Sequence, residues 1–581
     1  MFFKKDVNIA LSLISSKLKK NYTKVIFFNI INVFLDILTL VTIYPLVSTI
    51  IGKNVTKIDT IIINIISYLG LNLENKLTYI FYFFIFVILI KNLILIYIKF
   101  ETVKVIEKVF KEVSEKLYLN TLSKNYLYFS SFKKPVLLKN LREIPIEFKN
   151  YLDVYLNYYV CILNIVIITC SLIFFNFKIT AFILIYIFIT TLFYKFLFSN
   201  KAKNWGIKGN TIAGKIYTNI LDTINLIHEI KLHDKFYFFY KKHINLSNTW
   251  SNFVFLNKFI SSVSRPLFEI FLILPLFFIA IIFSNILINV NILPILSVYI
   301  YAAFRVLPSL VNLNISKLRQ QNHLFAVDYL NTEFENFNQK INYNKLKNKQ
   351  DIKKIKFNKN LKLQKIYFKF PKSKNFLIED LNLEINRNDF IGIKGESGVG
   401  KSSLIKIILG LIPPTDGKII LDDEVNMLDV KSQYMNLISY VSQNLSLLND
   451  TILNNVAFGV EKDKINIEAV WNSLSLASAE DFTRKLDKNL DFVVSNDGQN
   501  LSGGQAQRIA IARALYHKPE IIILDEATNS LDVKTEKSFY DDLLKLKGNV
   551  TIINISHKNT SLEFCDKIYE LSNNQIKEIK N

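Results

Sequence analysis

Residues 395–402 read Gly-Glu-Ser-Gly-Val-Gly-Lys-Ser, between a strand predicted at Phe390–Lys394 and a helix predicted at Ser403–Leu411. A glycine-rich loop in this context is typical of a phosphate-binding loop, and a chance glycine turn is the weaker alternative. The glycines let backbone N–H groups turn toward phosphate oxygens, and the helix N-terminus adds a positive dipole end. We expect Lys401 to contact the β- and γ-phosphates and Ser402 to bind Mg²⁺. The candidate phosphate-binding residues are Gly395, Glu396, Ser397, Gly398, Val399, Gly400, Lys401, Ser402 and Ser403.

A second motif begins with the apolar run Ile521–Leu524, which is typical of a buried strand, and continues with Asp525 and Glu526. Ligands bind at the carboxyl ends of the strands in sheets of this kind, so we expect both acids in the site. Asp525 is the candidate Mg²⁺ ligand, and Glu526 would orient or deprotonate an attacking water. A strand that ends in two acids is weak evidence alone. Its place 124 residues after Lys401 makes it strong.

The third motif, Leu501–Gln505 with the sequence LSGGQ, resembles the signature of ABC ATPases. It precedes an apolar helix predicted at Arg508–Leu515, so a second helix N-terminus is available to an anion. The resemblance covers residues 361–581 and implies ATP and Mg²⁺ as cofactors. In that family the signature completes the ATP site of a partner subunit, so the resemblance also implies a homodimer. The signature residues expected at that site are Ser502, Gly503, Gly504 and Gln505.

Further positions resemble the family one by one. Gln443 resembles the glutamine that links Mg²⁺ and the attacking water to the membrane domain, and His557 resembles the histidine that contacts the γ-phosphate. An ordinary surface histidine is the alternative for His557. Ser530–Asp532 resembles the loop that crosses the dimer interface, and Phe370 fits the aromatic residue that stacks on adenine. The expected catalytic residues are therefore Glu526, His557 and Gln443, and the expected metal ligands are Ser402, Gln443 and Asp525.

Two positions depart from the family pattern. Phe370 stands where the family usually has tyrosine, which keeps the stacking ring and loses a hydroxyl. Ser495–Asn496, shortly before the signature, stands where the family more often has glycine and glutamate. The catalytic positions named above are all present, so both ATP sites of the homodimer are expected to be competent.

The N-terminal part of the chain contains long apolar runs, and the 581 residues are 50% hydrophobic. A helix of about 20 apolar residues spans a bilayer. Lys99–Lys149 carries eleven Lys or Arg residues, so the positive-inside rule places both termini of a six-helix chain in the cytoplasm. We expect a multi-pass protein of the cell (inner or cytoplasmic) membrane. The predicted spans are Val25–Ile51, Leu77–Lys99, Tyr155–Phe175, Ile179–Phe198, Phe259–Phe283 and Ile292–Val311.

The connections 101–150 and 200–257 are polar with helical periodicity, so we expect them to extend the membrane helices into the cytoplasm. The expected fold is a polytopic α-helical membrane domain with six transmembrane helices, followed by an α/β phosphate-loop nucleotide-binding domain. This layout resembles that of ABC exporters. The expected bounds are residues 1–335 for the membrane domain, 336–362 for a Lys/Asn-rich linker and 363–581 for the nucleotide-binding domain.

The formal net charge of +22 admits an anionic partner such as nucleic acid or acidic phospholipid. The excess is spread along the chain as lysine, without the arginine cluster or stacking aromatic residues of a nucleic-acid-binding protein. We therefore expect a membrane lipid and no nucleic acid as partner. The three cysteines, Cys161, Cys170 and Cys565, are scattered, which argues against a disulfide framework or a zinc site.

Two short stretches narrow the resemblance to the PglK-like lipid-linked oligosaccharide flippases. They are His228–Leu232 with the following Phe236, and Ala303–Pro308. This resemblance implies an ATP-driven flippase for a polyprenyl-pyrophosphate-linked glycan or a related anionic lipid. The main alternative is an exporter of peptides or small hydrophobic molecules, which would share the ATPase. Six spans exclude a soluble ATPase that acts on DNA or ribosomes, and an ATP-gated channel stays open as an alternative.

Three basic residues lie within predicted spans, although a charge at mid-bilayer costs about 3 kcal/mol even on insertion scales. Lys91, Arg265 and Arg305 are therefore candidate substrate residues that would line a cavity and meet phosphate. At ~1.5 Å per residue all three lie in the cytoplasmic half of the bilayer. Lys91 could instead snorkel, and Arg265 could snorkel or pair with Glu269. Arg305 is the strongest candidate because apolar residues flank it, and Asp36 is the expected counter-charge.

Ile58–Leu73, between the first two spans, is too short to cross a bilayer. Its isoleucines recur at helical spacing with polar residues opposite. We expect a short helix on the outer membrane interface that contacts the lipid tail of the substrate. A helix buried against the bundle is the alternative.

Overall fold

The computed structural model describes residues 2–51, 76–131, 134–175, 177–286, 292–337, 355–371, 373–396, 398–443, 445–495, 498, 500–528, 533–545 and 547–579. The chain divides into two compact units. The first unit comprises Met1–Lys124 and Phe129–Ile341, and the second comprises Asn125–Tyr128 and Asn342–Asn581. The short segment Asn125–Tyr128 therefore belongs to the second unit, although the bounds expected from the sequence place it within the membrane domain, residues 1–335.

The described residues of the first unit form six long helices, and each contains one of the six predicted spans. They have 36 to 51 residues, well beyond the length that crosses a bilayer. The polar connections are thus helical, as their periodicity predicts. The long helices are α2 Ser16–Ile51, α3 Lys76–Leu122, α5 Lys134–Phe175, α6 Phe177–Asn225, α8 Phe236–Ile286 and α9 Ile292–Phe337, and the short ones are α1 Phe2–Ser12, α4 Tyr126–Ser131 and α7 Ile227–Leu232.

Four described stretches of these helices are long and apolar enough to cross a membrane, and a shorter apolar stretch covers Phe177–Phe193. Large apolar side chains on their outer faces are exposed, for example Phe86, Leu93 and Ile96 of α3. Such a surface is unfavourable in water and favourable in lipid, which agrees with a multi-pass membrane protein. The four long stretches are Ser16–Ile43, Thr78–Leu122, Val136–Ile173 and Ser297–Glu335.

A small antiparallel sheet in the second unit has the strand order β2-β1-β4-β5. The inner strand β1 pairs with β2 on one side, where Leu363 lies opposite Leu383, and with β4 on the other, where Leu363 lies opposite Ile419. The strands are β1 Asn360–Phe368, β2 Ile378–Asn386, β4 Asp416–Leu421 and β5 Val425–Asn426.

A larger sheet has the strand order β10-β9-β3-β8-β7-β6, and only its edge strand β10 runs antiparallel. All five residues of β7 and of β8 are buried, which explains their apolar sequences because helices cover both faces of a parallel sheet. Ile555 lies opposite both Ile393 and Asp525, so the carboxyl ends of β3, β8 and β7 meet at one edge. The strands are β3 Phe390–Lys394, β6 Ile438–Val441, β7 Ile521–Asp525, β8 Thr551–Ile555, β9 Lys567–Ser572 and β10 Gln575–Ile579.

In the described part of the second unit, the side chains of Thr451, Asn466 and Ser502 cap the helices that follow them. The helix predicted after the phosphate-binding loop starts at Lys401, directly after Gly400, and the helix predicted at Arg508–Leu515 starts at Gly503 because Ser502 caps it. The helices are α10 Lys401–Ile408, α11 Lys431–Met435, α12 Ile452–Val456, α13 Ile467–Leu476, α14 Glu480–Lys485, α15 Gly503–Tyr516, α16 Val533–Leu544 and α17 Asn559–Leu562. The predicted interfacial helix Ile58–Leu73, Ser397 and the loop Ser530–Asp532 lie outside the described residues.

Candidate functional site

The phosphate-binding loop turns through left-handed backbone at two glycines, Gly398 with φ 88° and Gly400 with φ 112°. A side chain at either position would strain the backbone, so glycine is required there. Lys401 folds back over the loop, and its Nζ donates hydrogen bonds to the carbonyl oxygens of Gly395 at 2.7 Å and Glu396 at 2.8 Å. The lysine therefore caps the cradle that its own loop forms.

Lys401 is 9% exposed, and this burial lowers the pKa of its ammonium, while the charges of Glu526 and Asp525 act in the opposite direction. Ser402, next in α10, is exposed and available to a ligand, whereas Ser403 is buried. The first N–H groups of α10, the ammonium of Lys401 and the hydroxyl of Ser402 thus form a candidate anion-binding site at the helix N-terminus.

Asp525 ends β7 and is buried at the carboxyl edge of the large sheet. Burial raises the pKa of its carboxyl, and the charge of Glu526 adds to this rise. Tyr440 opposes the rise, because its hydroxyl donates a hydrogen bond to Oδ2 of Asp525 at 2.9 Å. Tyr440 lies in β6, the strand that pairs with β7, and the sequence predicted no role for it. Its hydrogen bond fixes the orientation of Asp525, the expected metal ligand.

Two of the predicted catalytic residues, Gln443 and His557, lie against the third, Glu526. Its Oε2 accepts a hydrogen bond from Nε2 of Gln443 at 2.6 Å, and its Oε1 lies 3.3 Å from Nε2 of His557. Its backbone is left-handed with φ 51°, a conformation that is strained for glutamate and is anchored by the bond from its N–H to the carbonyl of Ile555 at 2.9 Å. The structure brings Glu526, Gln443 and His557 together, as a water-activating group requires.

The loops that carry these residues are held by a buried polar cluster. Thr528 donates a hydrogen bond to Oε1 of Glu536 at 2.6 Å, and Nζ of Lys558 lies 3.3 Å from Oε2 of the same carboxylate. Thr528 follows Glu526 by two residues and Lys558 follows His557 directly, so Glu536 connects the two loops. Sequence reasoning did not identify this acid, which carries no motif of its own.

The signature segment forms an N-terminal cap. Oγ of Ser502 accepts from the N–H of Gln505 at 3.2 Å, and the side-chain oxygen of Gln505 accepts from the N–H of Ser502 at 2.9 Å. Ser502 and Gly503 are exposed on the surface of the second unit. Within the part of the chain that the structure describes, no hydrogen bond joins this segment to residues 395–402. The signature is thus presented outward with unused helix N–H groups.

Asn455 and Arg513 connect α15 to the segment that follows Gln443. Arg513 donates to the carbonyls of Asn455 at 2.8 Å and Ser446 at 2.9 Å, and to Oδ1 of Asn455 at 2.7 Å. The fully buried Asn455 also bonds both backbone groups of Leu448. These two residues position the Gln443 segment, and the sequence offered no signal for them beyond an arginine in an apolar helix.

Phe370, the predicted adenine-stacking residue, lies after β1 and is exposed, with its ring edge-on to Phe368 at 5.1 Å between centroids. The contact with the buried Phe368 holds the ring in place, and its exposed part is accessible to a planar ligand.

In the first unit, two of the three predicted substrate cations meet at one carboxylate. Lys91 is 2% exposed and forms an ion pair with Asp36, and Nε of Arg305 lies 3.5 Å from the same carboxylate. Arg305 also donates to the hydroxyl of Tyr301 at 3.2 Å, and that hydroxyl donates to Thr39 at 2.9 Å. Asp36 is therefore the counter-charge that the sequence suggested. The side chain of Arg305 is 39% exposed, so it is the more accessible of the two cations at this carboxylate.

Arg265 does not join this cluster in the contacts of the described residues. Its side chain is 75% exposed and its Nε lies 2.8 Å from Oε1 of Glu269, one helical turn away. This is the pairing that stood as the alternative to a substrate role.

The arrangement in the second unit fits a magnesium-bound nucleoside triphosphate. Lys401, an exposed serine hydroxyl and a helix N-terminus provide for phosphates, and the buried carboxylate of Asp525 provides a hard oxygen ligand for Mg²⁺. Ser402, Gln443 and Asp525 are the residues that would hold the metal.

Comparison with known proteins finds similarity to ABC transporters in the second unit. The family model described as "ABC transporter" matches residues 378–529. An ATP-dependent lipid A-core flippase of Idiomarina loihiensis is 36% identical over 212 residues, which are 36% of this chain and 36% of the flippase. The lactococcin-G-processing and transport ATP-binding protein LagD of Lactococcus lactis subsp. lactis is 37% identical over 222 residues, which are 38% of this chain and 31% of that protein. The chain thus spans about a third of the length of these curated relatives.

The fold extends the likeness to nearly the whole chain. The solved structure of a bacterial Atm1-family ABC exporter with ATP bound matches 97% of this chain and 95% of its own chain, with a TM-score of 0.76 and 17% sequence identity. At this identity the likeness establishes the fold, which is that of an ABC exporter with a helical membrane domain before an α/β ATP-binding domain.

Proposed function

We propose that this chain, an ABC-type half-transporter with a membrane domain fused to an ABC ATP-binding domain, hydrolyses ATP to move an anionic lipid across a membrane. The proposed substrate is a polyprenyl-pyrophosphate-linked glycan or a related lipid. The observation that carries the ATPase part is the convergence of Gln443 and His557 on Glu526, beside the strand that ends in Asp525.

In the proposed hydrolysis, Lys401 and the N–H groups of α10 hold the β- and γ-phosphates. Glu526 orients the attacking water and accepts its proton, and Gln443 and His557 hold the two carboxylate oxygens in place. Mg²⁺, held by Ser402, Gln443 and Asp525, would supply positive charge to the phosphate oxygens as their bonds rearrange. Tyr440 keeps the carboxylate of Asp525 turned toward that place.

The proposed active form is a homodimer, in which Ser502 of one subunit completes the ATP site of the other. The outward cap at Ser502 supports this, because its helix N–H groups are exposed. Mixing Lys401→Ala and Ser502→Ala subunits tests the idea. Mixed dimers would contain one intact site and one doubly damaged site, so the mixture should regain ATPase activity that neither variant shows alone. An ATPase-active monomer isolated in nanodiscs would contradict the dimer.

Arg305 is the proposed contact for the substrate's phosphates. Lys91 is 2% exposed and forms an ion pair with Asp36, whereas the side chain of Arg305 is 39% exposed although its Nε lies 3.5 Å from the same carboxylate. A planar guanidinium binds phosphate oxygens in pairs, which suits a pyrophosphate headgroup, while the lipid tail can stay in the bilayer. A relative named for flipping lipid A-core supports a lipid substrate.

The second candidate is peptide export, which the similarity to a lactococcin-G-processing and transport protein favours. A hydrophobic peptide has no use for a cluster of cationic side chains around one carboxylate, so the cluster favours the anionic lipid.

Purified protein in proteoliposomes separates the two candidates. We expect ATP-dependent flipping of a glycosylated polyprenyl pyrophosphate, and its loss in Arg305→Ala with basal ATPase activity retained. Arg305→Lys keeps the charge and loses the planar fork, so it should be partly active. Normal lipid flipping by Arg305→Ala would remove the phosphate role and place peptide export first.

A further inference from the structure

Arg305 has two anchors of different chemistry in the first unit. Its Nε donates a hydrogen bond to the hydroxyl of Tyr301 at 3.2 Å and lies 3.5 Å from Oδ1 of Asp36. The hydroxyl of Tyr301 donates to Oγ1 of Thr39 at 2.9 Å, so its oxygen is turned to accept from the arginine. The tyrosine therefore holds the side chain of Arg305 without changing its charge, whereas the carboxylate offsets that charge.

Asp36 is bonded unequally to its two cations. The buried ammonium of Lys91 donates a hydrogen bond to Oδ1 of Asp36, and Nε of Arg305 lies 3.5 Å from the same oxygen. That separation is longer than an ordinary N–H···O hydrogen bond, so the contact with Arg305 is the weaker of the two. A contact between a carboxylate and a partly exposed arginine can be exchanged for another anion at little cost, whereas a buried ion pair cannot.

Asp36, Lys91 and Arg305 line one cavity between α2, α3, α5 and α9. Among the described residues of this lining, Asp36 is the one acid. The side chain of Arg305 is 39% exposed and that of Asp36 is 10% exposed. A phosphate that contacts Arg305 therefore lies close to a fixed negative charge, and this charge weakens its binding.

Weakened binding suits a site from which a substrate must also depart. A group that is carried across a membrane has to bind well enough to enter and loosely enough to leave on the other side. An arginine without an opposing carboxylate would also be occupied by the anionic phospholipids of the bilayer, which surround the chain in excess. A carboxylate that competes for the arginine meets both requirements.

We infer that Asp36 is a competing carboxylate: it pairs with Arg305 when no substrate is bound, yields the arginine to the phosphate of the anionic lipid, and pairs with it again as the lipid leaves. Lys91 limits this competition, because its ion pair with Asp36 offsets part of the carboxylate's charge. The inference rests on the proposed lipid transport and deepens it, since it assigns substrate release to a residue that need not contact the substrate.

Replacing both Asp36 and Lys91 tests the inference at constant net charge. Asp36→Asn combined with Lys91→Met removes one negative and one positive charge and leaves Arg305 without a competitor. Lys91→Met by itself leaves the whole carboxylate to Arg305. ATP-dependent flipping of a glycosylated polyprenyl pyrophosphate is measured in proteoliposomes over a range of lipid concentrations, and the half-saturating concentration and the maximal rate are the two readouts.

The two variants should change the half-saturating concentration in opposite directions. In the double variant we expect it to be about three- to tenfold lower than in the wild type, with a lower maximal rate because the lipid leaves slowly. Lys91→Met alone should raise the half-saturating concentration by a similar factor. Thermal unfolding close to that of the wild type shows that both variants fold.

The matched control is Glu269→Gln, which removes a carboxylate from an arginine elsewhere in the unit, where Nε of Arg265 lies 2.8 Å from Oε1 of Glu269. It should change neither readout. An unchanged half-saturating concentration in the double variant would overturn the inference, because net charge alone would then set the affinity. Tighter binding with an undiminished maximal rate would overturn the release role.

Thermal stabilisation of the detergent-purified chain by the same lipid separates this inference from the proposed function. The part of the stabilisation that Arg305→Ala loses reports binding at the arginine. If the wild type flips no lipid with ATP, the proposed transport fails, and competition by Asp36 is then decided by binding alone. The lipid concentration that gives half of this stabilisation should rise from the double variant to the wild type to Lys91→Met. Any other order, or stabilisation that Arg305→Ala retains in full, would overturn the inference.

Discussion

Lys401 and Lys91 are both buried lysines, and the chain satisfies them in opposite ways. Lys401 is bonded to two backbone carbonyls of its own loop, five and six residues away in sequence. Lys91 forms an ion pair with Asp36, which is 55 residues away on a different helix. Carbonyl oxygens leave the positive charge of Lys401 in place for a phosphate. A carboxylate balances the charge of Lys91.

The difference lies in how local each arrangement is. The loop that holds Lys401 is contiguous in sequence, so its glycines and its lysine already specify the contact. The pairing of Lys91 depends on how two long helices lie against each other, which composition does not reveal. A cation in an apolar span is thus ambiguous between a ligand contact and half of an ion pair, and only packing resolves it.

The largest effect is expected on ATP turnover in the site that contains Lys401. Glu526→Gln should keep ATP binding and reduce turnover by about 10²–10⁴, because the amide cannot accept the proton of the attacking water. Phosphate release by purified protein measures it. Glu563→Gln, a change at an exposed glutamate of the same unit, is the control and should retain turnover. Near-normal turnover in Glu526→Gln would remove the catalytic assignment.

Replacing Asp36, the carboxylate that pairs with Lys91, should lower the stability of the protein. Asp36→Asn leaves Lys91 buried without its counter-charge, and breaking a buried pair in this way costs about 3–5 kcal/mol. Thermal unfolding of the protein in nanodiscs measures the loss. Adding Lys91→Met removes the unpaired charge and should restore much of the stability. If the double variant is as unstable as Asp36→Asn alone, the ion pair is not the reason.

A smaller effect is expected from the tyrosine that orients the metal ligand. Tyr440→Phe removes only the hydrogen bond to Asp525, and a bond to a charged group contributes about 1.5–3 kcal/mol. We expect ATPase activity to require roughly tenfold or more Mg²⁺, with turnover at saturating Mg²⁺ close to that of the wild type. An unchanged Mg²⁺ dependence would show that Tyr440 does not position Asp525.

The smallest effect is expected at the third cation. Arg265 lies in an exposed pair with Glu269, and such pairs contribute about 0.2–1 kcal/mol. Arg265→Ala should therefore lower the free energy of unfolding by no more than about 1 kcal/mol. The rate of lipid flipping should change by no more than a few-fold, in contrast to Arg305→Ala. Loss of flipping in Arg265→Ala, scored in the same proteoliposomes, would return this residue to the substrate site.

The sequence predicted the parts of the molecule that depend on local pattern. The six long helices contain the six apolar runs, and the two strands Phe390–Lys394 and Ile521–Asp525 lie where the motifs require them. Gln443 and His557 were predicted through family resemblance, and in the structure both side chains lie within 3.3 Å of Glu526.

The rest depends on contacts between distant segments. Tyr440 meets Asp525 across neighbouring strands of the sheet, and Asn455 and Arg513 form their bonds only after α15 has packed. None of these residues has a motif, because each acts on a functional residue through geometry rather than through its own chemistry. The partial exposure of Arg305 and the pairing of Lys91 belong to the same class.

A single proteoliposome assay tests the proposed coupling of ATP hydrolysis to lipid movement. Wild-type protein and Glu526→Gln are placed in proteoliposomes with a glycosylated polyprenyl pyrophosphate, and the lipid reaching the opposite leaflet is measured with and without ATP. We expect movement by the wild type only with ATP, and none by Glu526→Gln under either condition. Equal movement by the wild type with and without ATP, or by Glu526→Gln at the wild-type rate, would contradict it.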